Sequence, residues 1–180
     1  MDYITLFDFV INLPILLKLA KEDFEAYEVS TILLLLWIID GIIFIPYKKF
    51  VSVLGIAGTL YLFILWIWGI TKIIEIVKKK IYLGEGDIYY LIGITIHLSF
   101  FGLLIAVLSG GASALIYKIF VEKHRPYIPF IPFLVIGTIT AYAIYFISPE
   151  DYWLGDIFIG QILKNIILYI ESLFSYDNKL

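Results

Sequence analysis

DIYYLIGITIHLSFFGLLIAVLSGGASALIYKI, residues 87–119, decides how this chain is read. Apart from His97, only its first residue, Asp87, and the penultimate Lys118 are ionisable groups of the acid or base kind. A single helix through all of it, rising about 1.5 Å per residue, would far outrun a hydrocarbon core about 30 Å thick. The run is therefore expected to break near Ser99-Phe100-Phe101-Gly102, giving a short helix at 87–98 and a second at 101–119. The second carries Gly102, Ser109, Gly110, Gly111, Ala112, Ser113 and Ala114, and such small residues let helices approach closely. Ordinary bundle packing is the plainer use for them than a ligand site.

Further apolar runs lie on either side, at 3–19, 29–47, 51–74, 130–147 and 155–174. The whole chain is 62% hydrophobic and 16% charged, against roughly half and a quarter in a soluble domain. The expected fold is all-α: a polytopic membrane helical bundle of six or seven spans, forming a single domain over 1–180. The first run contains Asp8, Asn12, Pro14 and Lys18, so it should pack against protein, because lipid-facing polar groups are costly. It begins Met1-Asp2, without a basic leader, and reads as a retained helix and not a cleaved signal. The last run, with Asp156, Gln161, Lys164 and Asn165, could span or lie along the interface.

Charge and residue counts exclude several classes. The formal net charge of -3 and the lack of a broad basic patch argue against a nucleic-acid partner. With no cysteine there is no disulfide, thiolate nucleophile or Cys-based zinc site. The two histidines show no zinc spacing: His97 reads as a packed, hydrogen-bonded residue and His124 as a solvated loop residue, so no metal or other cofactor is expected. Tyr and Trp side chains should anchor membrane interfaces and fill the bundle. Lys18, Lys21, Lys72, Lys78-Lys79-Lys80, Lys118, Lys123 and Arg125 point to one cytoplasmic face, with Lys48 and Lys49 opposing the bias and the N-terminus outside. Lys72 and Glu75 are spaced to pair on one helix.

Asp23 follows the first run in Lys21-Glu22-Asp23-Phe24-Glu25, and Asp87 follows Gly84-Glu85-Gly86. Two crossings between them would return the chain to the same face. Two carboxyl groups can hydrolyse a peptide bond if one is ionised, to take a proton from water, and the other is protonated, to polarise the carbonyl. Close approach enforces that difference, since both resist being charged together. Gly84 and Gly86 would let the backbone approach a substrate strand or bend before the helix. The residues alone equally allow Asp87 to serve as a helix cap, and Asp23, among Glu22, Glu25 and Glu28, to belong to a charged loop.

Three stretches together resemble the type IV prepilin peptidases, in particular the short archaeal enzymes that process preflagellins and pilin-like precursors. These are Asp23-Phe24-Glu25-Ala26-Tyr27-Glu28-Val29-Ser30 leading into an apolar helix, the Gly-x-Gly-Asp string at 84–87, and Ile128-Pro129-Phe130-Ile131-Pro132-Phe133-Leu134-Val135-Ile136-Gly137. The resemblance covers about 21–137. It implies a GxGD-type aspartyl protease architecture with Asp23 and Asp87 as the catalytic pair. The implied site faces the cytoplasm at the cell membrane. The implied partner is a pilin-like or archaellin precursor, cut where its short basic leader meets a hydrophobic helix. Glu22, Glu25, Glu28 and Glu85 would attract that leader, and Pro129 and Pro132 would position the helix after them. Glu25, Tyr27, Tyr89 and Ile131 stand where the family commonly has other residues, basic ones at the first three positions and glycine at the fourth. No cysteine-containing cytoplasmic insertion is present, so the resemblance implies cleavage without N-methylation.

Two other classes compete. A small ion-coupled transporter would use Asp40, Asp87 and Asp156 around the broken helix. A nonenzymatic membrane scaffold would use none of them chemically. Asp40, inside an apolar run, fits structural pairing, a proton relay or an auxiliary role at the active site. Nothing in the residues fixes the oligomeric state.

Overall fold

The computed structural model describes residues 3–47, 65–78, 84–122, 128–149, 161 and 165. Among these residues the protein is all-α, with five α-helices: α1 (Tyr3–Ala26), α2 (Thr31–Phe44, continued by a 3-10 turn at Ile45–Tyr47), α3 (Leu65–Lys78), α4 (Glu85–Phe120) and α5 (Ile131–Ile147). Two of them, α1 and α4, are long and apolar enough to cross a membrane. The six or seven spans expected from the sequence are not all visible, since the run at 51–64 and most of 150–180 lie outside the described residues.

Large apolar side chains cover the outside of the bundle as well as filling its core. Phe7, Val10, Ile11 and Leu17 of α1 and Ile32, Leu35, Ile39 and Ile43 of α2 are exposed, while Thr5, Asp8, Asn12, Thr95, His97 and Thr138 are buried. Apolar side chains face outward and several polar ones are enclosed, the arrangement a hydrocarbon solvent favours. This supports a membrane-associated protein, and it bears out the protein-facing reading of Asp8 and Asn12.

The expected break in α4 falls at Ser99, which has φ 65° and ψ -170° inside the helix. Around it the chain turns back. Gly86 lies against Val29 and Ile131, and Tyr90 bonds Thr138; after the break, Ala106 meets Gly137 and Gly110 meets Phe133. Contacts with α5 thus climb from 131 to 138 along the first arm and descend from 137 to 133 along the second. The rings of Tyr117 and Phe133 are 5.3 Å apart. A straight helix would separate Gly86 from Tyr117 by about 46 Å, so both could not reach the start of α5. α4 is therefore a helical hairpin, its two arms antiparallel.

Side-chain contacts orient the other helices. α1 runs against α2, with Phe7 beside Phe44 and Asn12 beside Asp40. It also runs against α5, with Asp23 at Ile131 and Phe9 at Phe146. One end of the bundle gathers 23–30, 84–87, 117 and 130–133; the opposite end holds the Ser99 turn. Leu16, Leu19, Leu34, Trp37, Ile94, Leu98, Leu103, Leu134 and Tyr142 form the apolar core between them. Glycine lets these helices touch: a Cβ on Gly137 would fall 2.0 Å from the Ala106 carbonyl oxygen, and one on Gly110 would fall 2.7 Å from that of Phe133. Lys72 and Glu75 of α3 pair at 2.9 Å, as their spacing predicted.

Candidate functional site

Asp23 occupies the last turn of α1, beyond its apolar stretch. Tyr27, at φ 56°, ends the helix in the left-handed region and donates its N–H to the Asp23 carbonyl at 3.0 Å. The Asp23 side chain is buried, and its Oδ2 accepts the Ile131 N–H at 2.9 Å. That donor belongs to the first turn of α5, where N–H groups have no partner within the helix. Glu22 Oε2 accepts the Ser30 N–H at 2.9 Å and so fixes the short α1–α2 connection.

Asp87 lies in the first turn of α4, ahead of the apolar stretch that starts at Ile88. Its Oδ2 accepts the Gly84 N–H at 3.0 Å, closing the helix start from the third position. The capping role read as an alternative for Asp87 is thus present, and it leaves the other carboxyl oxygen available. Gly86 is used differently from the backbone freedom expected of it. No glycine among the described residues has a positive φ; a Cβ at Gly86 would sit 2.6 Å from Val29 Cγ2, so its lack of a side chain permits close packing of α4 on the α1–α2 connection.

The two acids interact. Burial pushes the Asp23 carboxyl above the ordinary carboxylate range, opposed by the Ile131 N–H. Burial also pushes Asp87 up to about 6; the Gly84 N–H opposes this, and the charge of Asp23 adds to it. Burial first, and the Asp23 charge to a smaller extent, favour a proton on Asp87, as one member of an acid–base dyad requires.

The remaining expected site residues divide. Glu85, Glu25 and Glu28 are exposed, with Glu25 3.9 Å from Lys21. Glu22 is half-buried and occupied by Ser30. Pro129 is buried, and Pro132 sits inside the start of α5, the position where its missing N–H costs the helix nothing. His124, Lys123, Arg125 and Asp156 lie outside the described residues. Of the acids assigned to a transporter, the two described are not gathered: half-buried Asp40 is held by Asn12, away from Asp87 at the end of the bundle.

A second polar cluster lies about 22 Å along α1 from Asp23. Asp8 Oδ2 accepts the Tyr142 hydroxyl at 2.8 Å; Asn12 Nδ2 donates to Asp8 Oδ1 at 3.2 Å and to Asp40 Oδ2 at 2.7 Å. His97 Nδ1 stands 3.1 and 3.2 Å from the two Asp8 oxygens, and Nε2 stands 2.9 Å from the Trp37 carbonyl oxygen. The Trp37 ring stacks on the imidazole at 5.2 Å. His97 is packed and hydrogen-bonded, as read from the sequence. The gathering of Asp8, Asp40 and His97, which could serve a catalytic or metal-binding role, was not foreseen. Its one sequence signal is the i, i+4 spacing of Asp8 and Asn12, which puts two polar groups on one face of an apolar helix.

No family model, curated protein or solved structure matches this chain.

Proposed function

We propose that the protein is a membrane aspartyl endopeptidase whose acid pair, Asp23 and Asp87, removes a short basic leader from pilin-like or archaellin precursors at the cytoplasmic face, as the resemblance to type IV prepilin peptidases implies. The observation that carries this reading is the placement of two carboxyls, buried Asp23 at the end of α1 and half-buried Asp87 at the start of α4, at one end of the bundle, where Asp23 bonds Ile131 and Gly86 lies against the same residue. A water held between them would lose a proton to the ionised member, while the protonated member polarises the scissile carbonyl. The proton shared by the pair then passes to the leaving amine. Exposed Glu25, Glu28 and Glu85 around this end would concentrate a basic leader.

The test is purified protein in proteoliposomes, incubated with a precursor carrying a basic leader before an apolar helix. Cleavage that disappears in both Asp23→Asn and Asp87→Asn, with helicity retained, supports the peptidase. Ion flux without cleavage supports a transporter instead, and neither activity supports a scaffold. Cleavage by a folded variant lacking either carboxyl overturns the assignment.

A further inference from the structure

The hydrogen bonding of His97 bears on what lies between its Nδ1 and Asp8. A carbonyl oxygen only accepts, so the 2.9 Å contact with Trp37 O puts a hydrogen on His97 Nε2. A ring carrying only that hydrogen presents a lone pair at Nδ1. Facing it at 3.1 and 3.2 Å are both oxygens of Asp8, a carboxylate that already accepts from Tyr142 and Asn12. The contact is at hydrogen-bond distance, and a positive species held between the two groups, a ring proton or a metal ion, satisfies it.

Asp8, Asp40 and His97 each offer a ligand atom, all within 4.8 Å of one another. The 3.1 Å Nδ1–Oδ1 separation matches the edge of a tetrahedral site, about 3.3 Å for bonds of about 2.0 Å. Asn12 is fully buried, and its Oδ1 has no hydrogen-bond partner among the described residues, although its amide nitrogen lies in the cluster and bonds both acids. That leaves an unsatisfied neutral oxygen on a side chain that bonds both acids. The Nε2–H bond to a backbone carbonyl is the outer contact that orients metal-binding histidines. One imidazole nitrogen with oxygen donors and no sulfur suits a divalent first-row metal. Two carboxylates in an apolar bundle would be neutralised by one such ion.

We propose that Asp8, Asp40 and His97, with Asn12 bonded to both acids, form a divalent transition-metal site of the zinc class, tying α1, α2 and the first arm of α4 together. It is separate from the acid pair and does not depend on the peptidase reading.

The test uses full-length protein in nanodiscs, stripped with chelator and titrated with Zn²⁺ at a fixed neutral pH. The expected result is one zinc per chain, an absorption spectrum showing an N/O shell with imidazole, and a higher thermal midpoint on loading. Asp40→Asn keeps an oxygen to accept the Asn12 bond and so retains the fold. It and His97→Gln should each bind zinc at least about tenfold more weakly. The double variant Asp23→Asn/Asp87→Asn should bind as the natural chain does. No stoichiometric binding by the natural chain would mean that a proton alone fills the position and would overturn the proposal. Undiminished affinity in Asp40→Asn and His97→Gln, or affinity lost with the Asp23/Asp87 variant, would do the same.

Discussion

The Asp23 carboxylate accepts the backbone N–H of Ile131 at 2.9 Å, joining the end of α1 to the start of α5 across 108 residues of sequence. An asparagine can replace this acceptor, because its amide oxygen is placed alike; leucine cannot. Asp23→Asn should therefore keep the fold and lose cleavage, whereas Asp23→Leu should lose cleavage and about 1–3 kcal/mol of stability by leaving a buried donor unpaired. Denaturant titration in mild detergent, run beside the cleavage assay, separates the two effects.

The pair's titration should shape both rate and stability. Asp87 is raised from 3.8 to about 6, so the folded protein binds more protons than the unfolded chain between those values. Stability then falls as pH rises through that window, and the deficit is complete above about 6. Asp87→Asn should remove this slope and melt higher than the natural chain at pH 7.5. Cleavage by the natural chain should decline as pH rises beyond about 6, when the pair loses its shared proton, and decline again in stronger acid, when both carboxyls are protonated. A rate independent of pH from 5 to 8 would contradict the coupling.

Helix contact through glycine gives a graded test of the α4–α5 packing. Gly137→Ala would drive a Cβ into the Ala106 carbonyl, which as backbone cannot swing away. It should cost about 2 kcal/mol or more. Gly111→Ala meets nothing within 4 Å and should be neutral or mildly stabilising. Equal melting of the two variants would mean that the arms do not meet α5 in this register.

The hairpin in α4 can be checked by cross-linking, since the absence of cysteine makes paired substitutions clean. Phe24→Cys with Tyr117→Cys, whose natural rings are 6.3 Å apart, should cross-link. So should Ile96→Cys with Tyr145→Cys, which pack together at the other end. Ser99→Gly should raise stability by about 1 kcal/mol, because glycine takes positive φ with extended ψ without strain. A straight α4 would bring neither benefit nor the first cross-link.

The break at Ser99 was legible because an apolar run too long for a bilayer had one stretch of small and aromatic residues near its middle. The inward face of α1 was legible from Asp8 and Asn12, since polar groups cannot face hydrocarbon cheaply. The common end for Asp23 and Asp87 followed from counting crossings. Contact between Asp23 and the start of α5 did not, because the donor is the Ile131 backbone, and backbone groups leave no mark on residue type. The Asp8–Asp40–His97 cluster was hidden for another reason. Its members come from three helices, with Asp8 and His97 89 residues apart, and only the tertiary register of those helices brings them together. Gly86 was read for flexibility when its use is closeness, two properties one residue type supplies alike.

Because α4 doubles back at Ser99, its two arms cancel in the topological count. Whatever follows Glu122 emerges in the compartment from which Gly84 departed. Compartment reporters fused at these two positions should give the same signal, and inserting a single extra crossing anywhere upstream would invert both together.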